Sequence, residues 1–123
     1  MIALLLNMIT FAFAEVKVTE SQILGFWAPV GECSGKEITL YEKDNVVSFY
    51  EPKGPGNQTY IYKYSNNWWI IDGKMHLGAH PKSDDYFKRR VVMHSLTADK
   101  MVMTQIFPTG LKIDLTYERC KNF

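Results

Sequence analysis

From Lys36 onward the chain alternates apolar and polar residues with a period of two, broken at short intervals by turn residues. That period belongs to strands with one face buried, and it limits the fold class more than any other feature of the sequence. Lys36–Glu42 (KEITLYE) reads as a strand, turned by Lys43-Asp44-Asn45 into Val46–Glu51, which the breaker PKGPGN at 52–57 ends. Gln58–Tyr64 and Trp68–Ile71 follow as two strands joined around Ser65-Asn66-Asn67. Asp72-Gly73 is the strongest hairpin signal in the chain and leads into Lys74–Ala79. Beyond the loop HPKSDD at 80–85 comes a long strand, Tyr86–Leu96, turned by Ala98-Asp99-Lys100 into Met101–Phe107. Pro108-Thr109-Gly110 then turns the chain into Leu111–Cys120, where Leu111, Ile113, Leu115 and Tyr117 share one face. Eight or nine short antiparallel strands in so small a chain close into a barrel or fold into a sandwich to remove exposed edges. The expectation is an all-β fold of eight or nine strands with a short N-terminal helical turn.

The helical turn is read from Val18-Thr19-Glu20-Ser21-Gln22-Ile23. Thr19 and Gln22 stand at capping-box spacing, with Val18 and Ile23 placed to staple across it. Ahead of it, MIALLLNMITFAFA carries no charge and ends in Ala12-Phe13-Ala14. An apolar run closed by small-x-small is the form of a secretory signal peptide, here without a basic start. The run is too short for a membrane span, which needs roughly 20 apolar residues. Residues 1–14 are therefore expected to be a signal peptide that is removed, and 15–123 a single domain, secreted or periplasmic, with no membrane span left.

Cys33 and Cys120 stand far apart in the chain, and in an oxidising compartment an isolated pair forms a bridge. Two buried or reactive free thiols are the alternative. The formal net charge is +1, with no basic footprint, so nucleic acid is not an expected partner. No nucleophile motif, phosphate loop or paired acid–base constellation is visible, so no catalytic residues, no cofactor and no enzyme activity are expected.

Leu24-Gly25-Phe26-Trp27 follows the helical turn directly. A helical turn, then G-x-W opening the first strand, then a meander ending in HSLTADKMVMTQIFPTGLKIDLTYERC, resembles the lipocalin-like (calycin) small secreted or periplasmic β-barrel domains. The resemblance selects the barrel over the sandwich, so the expectation is an all-β, single up-and-down antiparallel barrel of eight or nine strands. It implies that Trp27 plugs the closed end of the barrel and that Arg119, on the last strand, lies across its ring. Gly25 then lets the chain pass close to the barrel floor. One conflict follows. With Trp27 beside Arg119, six residues of strand carry Cys33 roughly 20 Å away from Cys120, and the alternation puts the two cysteines on opposite sides. Both features hold only if Pro29 and Gly31 break the first strand and fold Cys33 back.

For function, the resemblance implies a binding protein holding a small apolar or amphipathic molecule in its barrel. The ladder Tyr60-x-Tyr62-x-Tyr64 with Trp68 makes either an aromatic wall for such a ligand or plain cross-strand packing. Arg89, within Lys88-Arg89-Arg90, is either a cation for an anionic head group or part of a solvated edge. The alternative is a periplasmic or secreted inhibitor or immunity protein that binds another protein through loops or an aromatic face. Tyrosines facing an open interior favour the first reading. Tyrosines facing solvent around an interior filled by Met93, Met101, Met103 and Tyr117 favour the second. His76, His80 and His94 fall at no recognisable ligand spacing, so no metal is expected. The domain is expected to be a monomer.

Overall fold

The structure is a computed structural model that describes residues 15–35, 37–53 and 59–121; the expected signal peptide and most of the PKGPGN breaker lie outside them. A single helical turn, α1 (Glu20–Ile23), precedes eight strands: β1 (Gly25–Pro29), β2 (Ile38–Glu42), β3 (Val46–Pro52), β4 (Tyr60–Ile71), β5 (Lys74–Leu77), β6 (Arg89–Leu96), β7 (Lys100–Ile106) and β8 (Lys112–Arg119). Each strand pairs antiparallel with the next, and β8 returns to β1, closing an up-and-down barrel.

Local chemistry explains the junctions. Thr19 N–H donates to Gln22 Oε1 at 2.9 Å, so Gln22 reaches back across the first turn as its spacing predicts. The β4–β5 hairpin turns on Asp72 and Gly73, both with positive φ, as an Asp-Gly turn requires. Asp44 and Asn45, at φ 63° and 64°, do the same between β2 and β3.

Three boundaries differ from those read in the sequence. The strands expected at Gln58–Tyr64 and Trp68–Ile71 are one strand, β4. Ser65, Asn66 and Asn67 stay extended because β3 pairs with them directly, and Asn67 Nδ2 donates to Asn45 O at 3.1 Å. The strand expected from Tyr86 begins at Arg89. Asp85 Oδ1 accepts the Phe87 N–H at 2.8 Å, a side-chain-closed turn that holds Tyr86 and Phe87 out of the ladder. β5 stops at Leu77 because Gly78, at φ 80°, bends the chain against the Phe87 carbonyl, where a Cβ would collide.

The conflict over Cys33 resolves through the anticipated break. β1 ends at Pro29, Gly31 takes φ 82°, and Glu32 N–H donates back to Pro29 O at 2.9 Å. Trp27 still pairs with Arg119 in the ladder, while Cys33 and Cys120 form a disulfide with their Cα atoms 5.5 Å apart. The bridge lies on the outer side of the wall, in a small apolar cluster with Phe26, Ala28 and Ile38. The main core lies inside, where Trp27, Trp68, Met75, Met93, Met101 and Met103 are fully buried.

Candidate functional site

The two ends of the barrel are built differently. At the closed end the Arg119 guanidinium carbon sits 4.3 Å from the centroid of the Trp27 ring. Arg119 also donates to three carbonyls, Ala98 O at 2.6 Å, Leu24 O at 2.7 Å and Gln22 O at 2.8 Å. The Trp27 indole N–H donates to Ile23 O at 2.7 Å. Gly25, at φ +118°, runs under this arginine, and a Cβ there would come within 2.7 Å of Nη1. A guanidinium on an indole face with each of its nitrogens bonded to a carbonyl is a stabilising device. It leaves no free group for chemistry.

At the open end a cavity of about 190 Å³ remains, lined by Thr39, Tyr41, Phe49, Arg89, Gln105 and Tyr117 among others. Ligand pockets for drug-sized molecules run from about 300 Å³ upward, so this space suits only a small molecule. Below it the methionines and Trp68 fill the barrel. Trp68 is itself core: it is buried, meets Tyr41 edge-on at 5.0 Å and donates its indole N–H to Glu42 O at 2.9 Å. Burial raises the pKa of the Tyr41 hydroxyl, with Tyr117 adding to the shift and Arg89 opposing it. Tyr117 is raised too, first by burial and then by Glu37. Both hydroxyls stay protonated at neutral pH, and both residues line the cavity.

The tyrosine ladder does not share one face. The β3–β4 register shifts between Phe49 and Tyr50, so Phe49 stands opposite Tyr64 while Tyr50 stands opposite Tyr62, with Lys63 extra between them. Tyr64 therefore turns inward, stacked on Phe49 at 4.6 Å. Tyr60 and Tyr62 face outward. The Tyr60 hydroxyl donates to Cys33 O at 3.1 Å, tying the strand to the disulfide loop, and Tyr62 is 58% exposed.

The basic cluster also divides. Lys88 Nζ donates to Ser83 O at 2.7 Å and Pro81 O at 3.2 Å, bracing the loop before β6. Arg90 pairs with Glu15 at 2.6 Å on the outer wall. Arg89 points to the mouth, 5.3 Å over the Phe107 ring, with one long hydrogen bond to Gln105 Oε1 at 3.4 Å. Among the described residues no carboxylate pairs with it. It borders the interior cavity, a second hollow against Tyr86 and Phe87, and a third on the outer wall beside His76.

The three histidines stay apart. His76 sits on the outer wall, its pKa lowered by burial and then by Arg90. His80 packs edge-on against Trp69 at 4.8 Å, and His94 Nε2 meets Thr104 Oγ1 at 2.7 Å. Among the described residues no three His, Cys, Asp or Glu groups gather as metal ligands. No described helix is long and apolar enough to cross a membrane.

What the alternation alone does not disclose is the rim. Tyr86 and Phe87 are 71% and 79% exposed, on a loop fixed by Ser83 N–H to His80 O at 2.8 Å and by the Asp85 and Lys88 contacts. Val30, Ile61, Tyr62, Tyr64, Leu111 and Ile113 are exposed at the same end of the barrel. Of the large apolar side chains exposed among the described residues, Val16 alone lies elsewhere. The signal for the rim was local: Ser83 and Asp85 close side-chain turns just before the aromatic pair. Comparison with protein families, with curated proteins and with solved structures yields no match.

Proposed function

We propose that this chain is an exported binding module that docks a protein partner through the open rim of its barrel. One observation carries the reading: the exposed apolar side chains gather at the mouth, with Tyr86 and Phe87 presented on a braced loop, while the interior beneath is filled. Large apolar side chains exposed at one end of a domain suit an interaction surface, and tyrosine and phenylalanine are enriched where partners dock. The disulfide suits an oxidising compartment, secreted or periplasmic, and the uncharged N-terminal run suits export. The lipocalin-like resemblance agrees with a binding role.

Arg89 favours a second reading. A guanidinium with no carboxylate partner, beside two protonated tyrosine hydroxyls and a cavity of about 190 Å³, suits a small amphipathic acid.

Native mass spectrometry of the protein isolated from its own compartment separates the two. A stoichiometric protein companion, retained by the parent chain and lost from a Tyr86→Ser, Phe87→Ser variant, is the expected result. An added mass of a few hundred daltons that disappears in Arg89→Gln would transfer the function to the cavity. A bare chain from both preparations would remove support from each.

A further inference from the structure

β4 is twelve residues long, and its two halves have different neighbours. Tyr60–Asn67 pairs with β3, whereas Trp68–Ile71 pairs with the four-residue β5. On the β5 side the last bond is Gly78 N–H to Asn67 O at 2.8 Å, and there the chain leaves for the rim loop. Among the described residues no strand covers that edge of Ile61–Asn66, so the wall has a notch above β5. Main-chain groups of a strand alternate in direction. Ser65, two residues from Asn67, therefore presents its N–H and C=O into the notch.

The opposite wall of this notch is the braced loop. A hollow of about 520 Å³ lies between Ser65, Asn66 and Asn67 on one side and Asp85, Tyr86 and Phe87 on the other, and Arg89 also lines it. The Asp85 carboxylate there is engaged by the Phe87 N–H. The hollow thus combines three features. Among the described residues it has a strand edge that no other strand covers, aromatic side chains that flank it, and a guanidinium that forms no ion pair.

We propose that this notch binds an extended segment of the partner as an added strand beside β4. This rests on the protein-docking reading and specifies how the docking is done. Main-chain hydrogen bonds along the edge supply the directional contacts, and alternate side chains of the segment lie on Tyr86 and Phe87. Charge complementarity completes the match: a carboxylate on the segment, from a side chain or the chain end, meets Arg89. The open edge Ile61–Ser65 extends about 16 Å at roughly 3.3 Å per residue, so the segment is about five residues long. A second copy fits less well, because symmetric pairing of two such edges brings two Lys63 ammonium groups together.

The test uses the full domain and a library of random heptapeptides with free C-termini. Selection is expected to enrich peptides with alternating apolar residues and a carboxylate near one end. N-methylation of alternate amides in a selected peptide should weaken binding by about a hundredfold, because each lost main-chain bond leaves its partner unsatisfied. Arg89→Gln should weaken it by about tenfold, and bound peptide should slow hydrogen exchange at Ser65. The N-methyl peptides leave the protein itself untouched, so a misfolded variant cannot mimic the result. Failure to enrich any peptide overturns strand addition, and so do selected peptides that tolerate N-methylation. If N-methylation has no effect but Tyr86→Ser, Phe87→Ser abolishes binding, rim docking stands and strand addition falls. If neither change affects binding, both readings fail. Dimerisation of the domain that Ser65→Pro abolishes would assign the edge to self-pairing instead.

Discussion

The closed and open ends of this barrel are made from similar residues put to opposite use. At the closed end Trp27 and Arg119 meet face to face, and three carbonyls take up the arginine's donors. At the open end Arg89 lies over Phe107 with one long hydrogen bond, and aromatic rings stand in water. An arginine and an aromatic ring make a structural lock where carbonyls engage all three guanidinium nitrogens. Where the surroundings leave donors over, the same pair makes a recognition surface. Residue type does not decide between these outcomes; the supply of nearby carbonyls does.

The contrast can be broken by substitution. Trp27→Ala should cost about 3–5 kcal/mol in urea unfolding, since it empties the largest buried site and strands Arg119. A loss below about 1 kcal/mol would mean that the closed end is not the anchor. Replacing Cys33 and Cys120 by Ser should cost about 2–5 kcal/mol, read as a lower thermal midpoint that reductant no longer shifts. An unchanged midpoint would show that the strand register alone holds the loop.

A pH measurement sharpens the difference further. Burial raises Tyr41 and Tyr117 above their ordinary value of 10.0, so the unfolded chain gives up these protons first. Their contribution is intact below about pH 10 and is lost as alkali rises through the folded-state values. Tyr41→Phe should therefore flatten the decline in stability above that pH, and an identical decline in both proteins would exclude Tyr41 as its source. The smallest effect belongs to the rim. Phe87→Ser should change stability by no more than about 0.5 kcal/mol, because the side chain rests on solvent rather than on the core.

Much of this was legible in the sequence for simple reasons. Period-two alternation, the Asp72-Gly73 turn and the Thr19–Gln22 spacing are local rules, and the strands, hairpin and helical turn obey them. Pro29 and Gly31 were legible as breakers, which let the disulfide and the Trp27–Arg119 contact coexist. The facing of the tyrosines was not legible. It depends on a single extra residue, Lys63, in the β3–β4 ladder, and one such insertion reverses every side chain beyond it. Nor could alternation reveal that Ser65–Asn67 continues a strand, because the bonds that keep it extended come from Asn45 and β3, some twenty residues earlier. The rim loop escaped for a related reason. Tyr86 and Phe87 are residue types that favour strands and lie just before β6, but the Asp85 carboxylate holds them out of the ladder.

The disulfide gives the barrel a property that strand pairing does not. β1 and β8 are joined by only three registered pairs, at the seam where a closed sheet would first be unzipped by traction on its ends. Cys33 and Cys120, 87 positions apart in the chain, place a covalent rivet beside that seam. Tension applied from outside the two cysteines passes across the rivet and never reaches the hairpins between them. The strands β2 to β8 that the bridge encloses can lengthen only after the sulfur–sulfur bond has been cut, whereas β1, N-terminal to Cys33, carries the load itself.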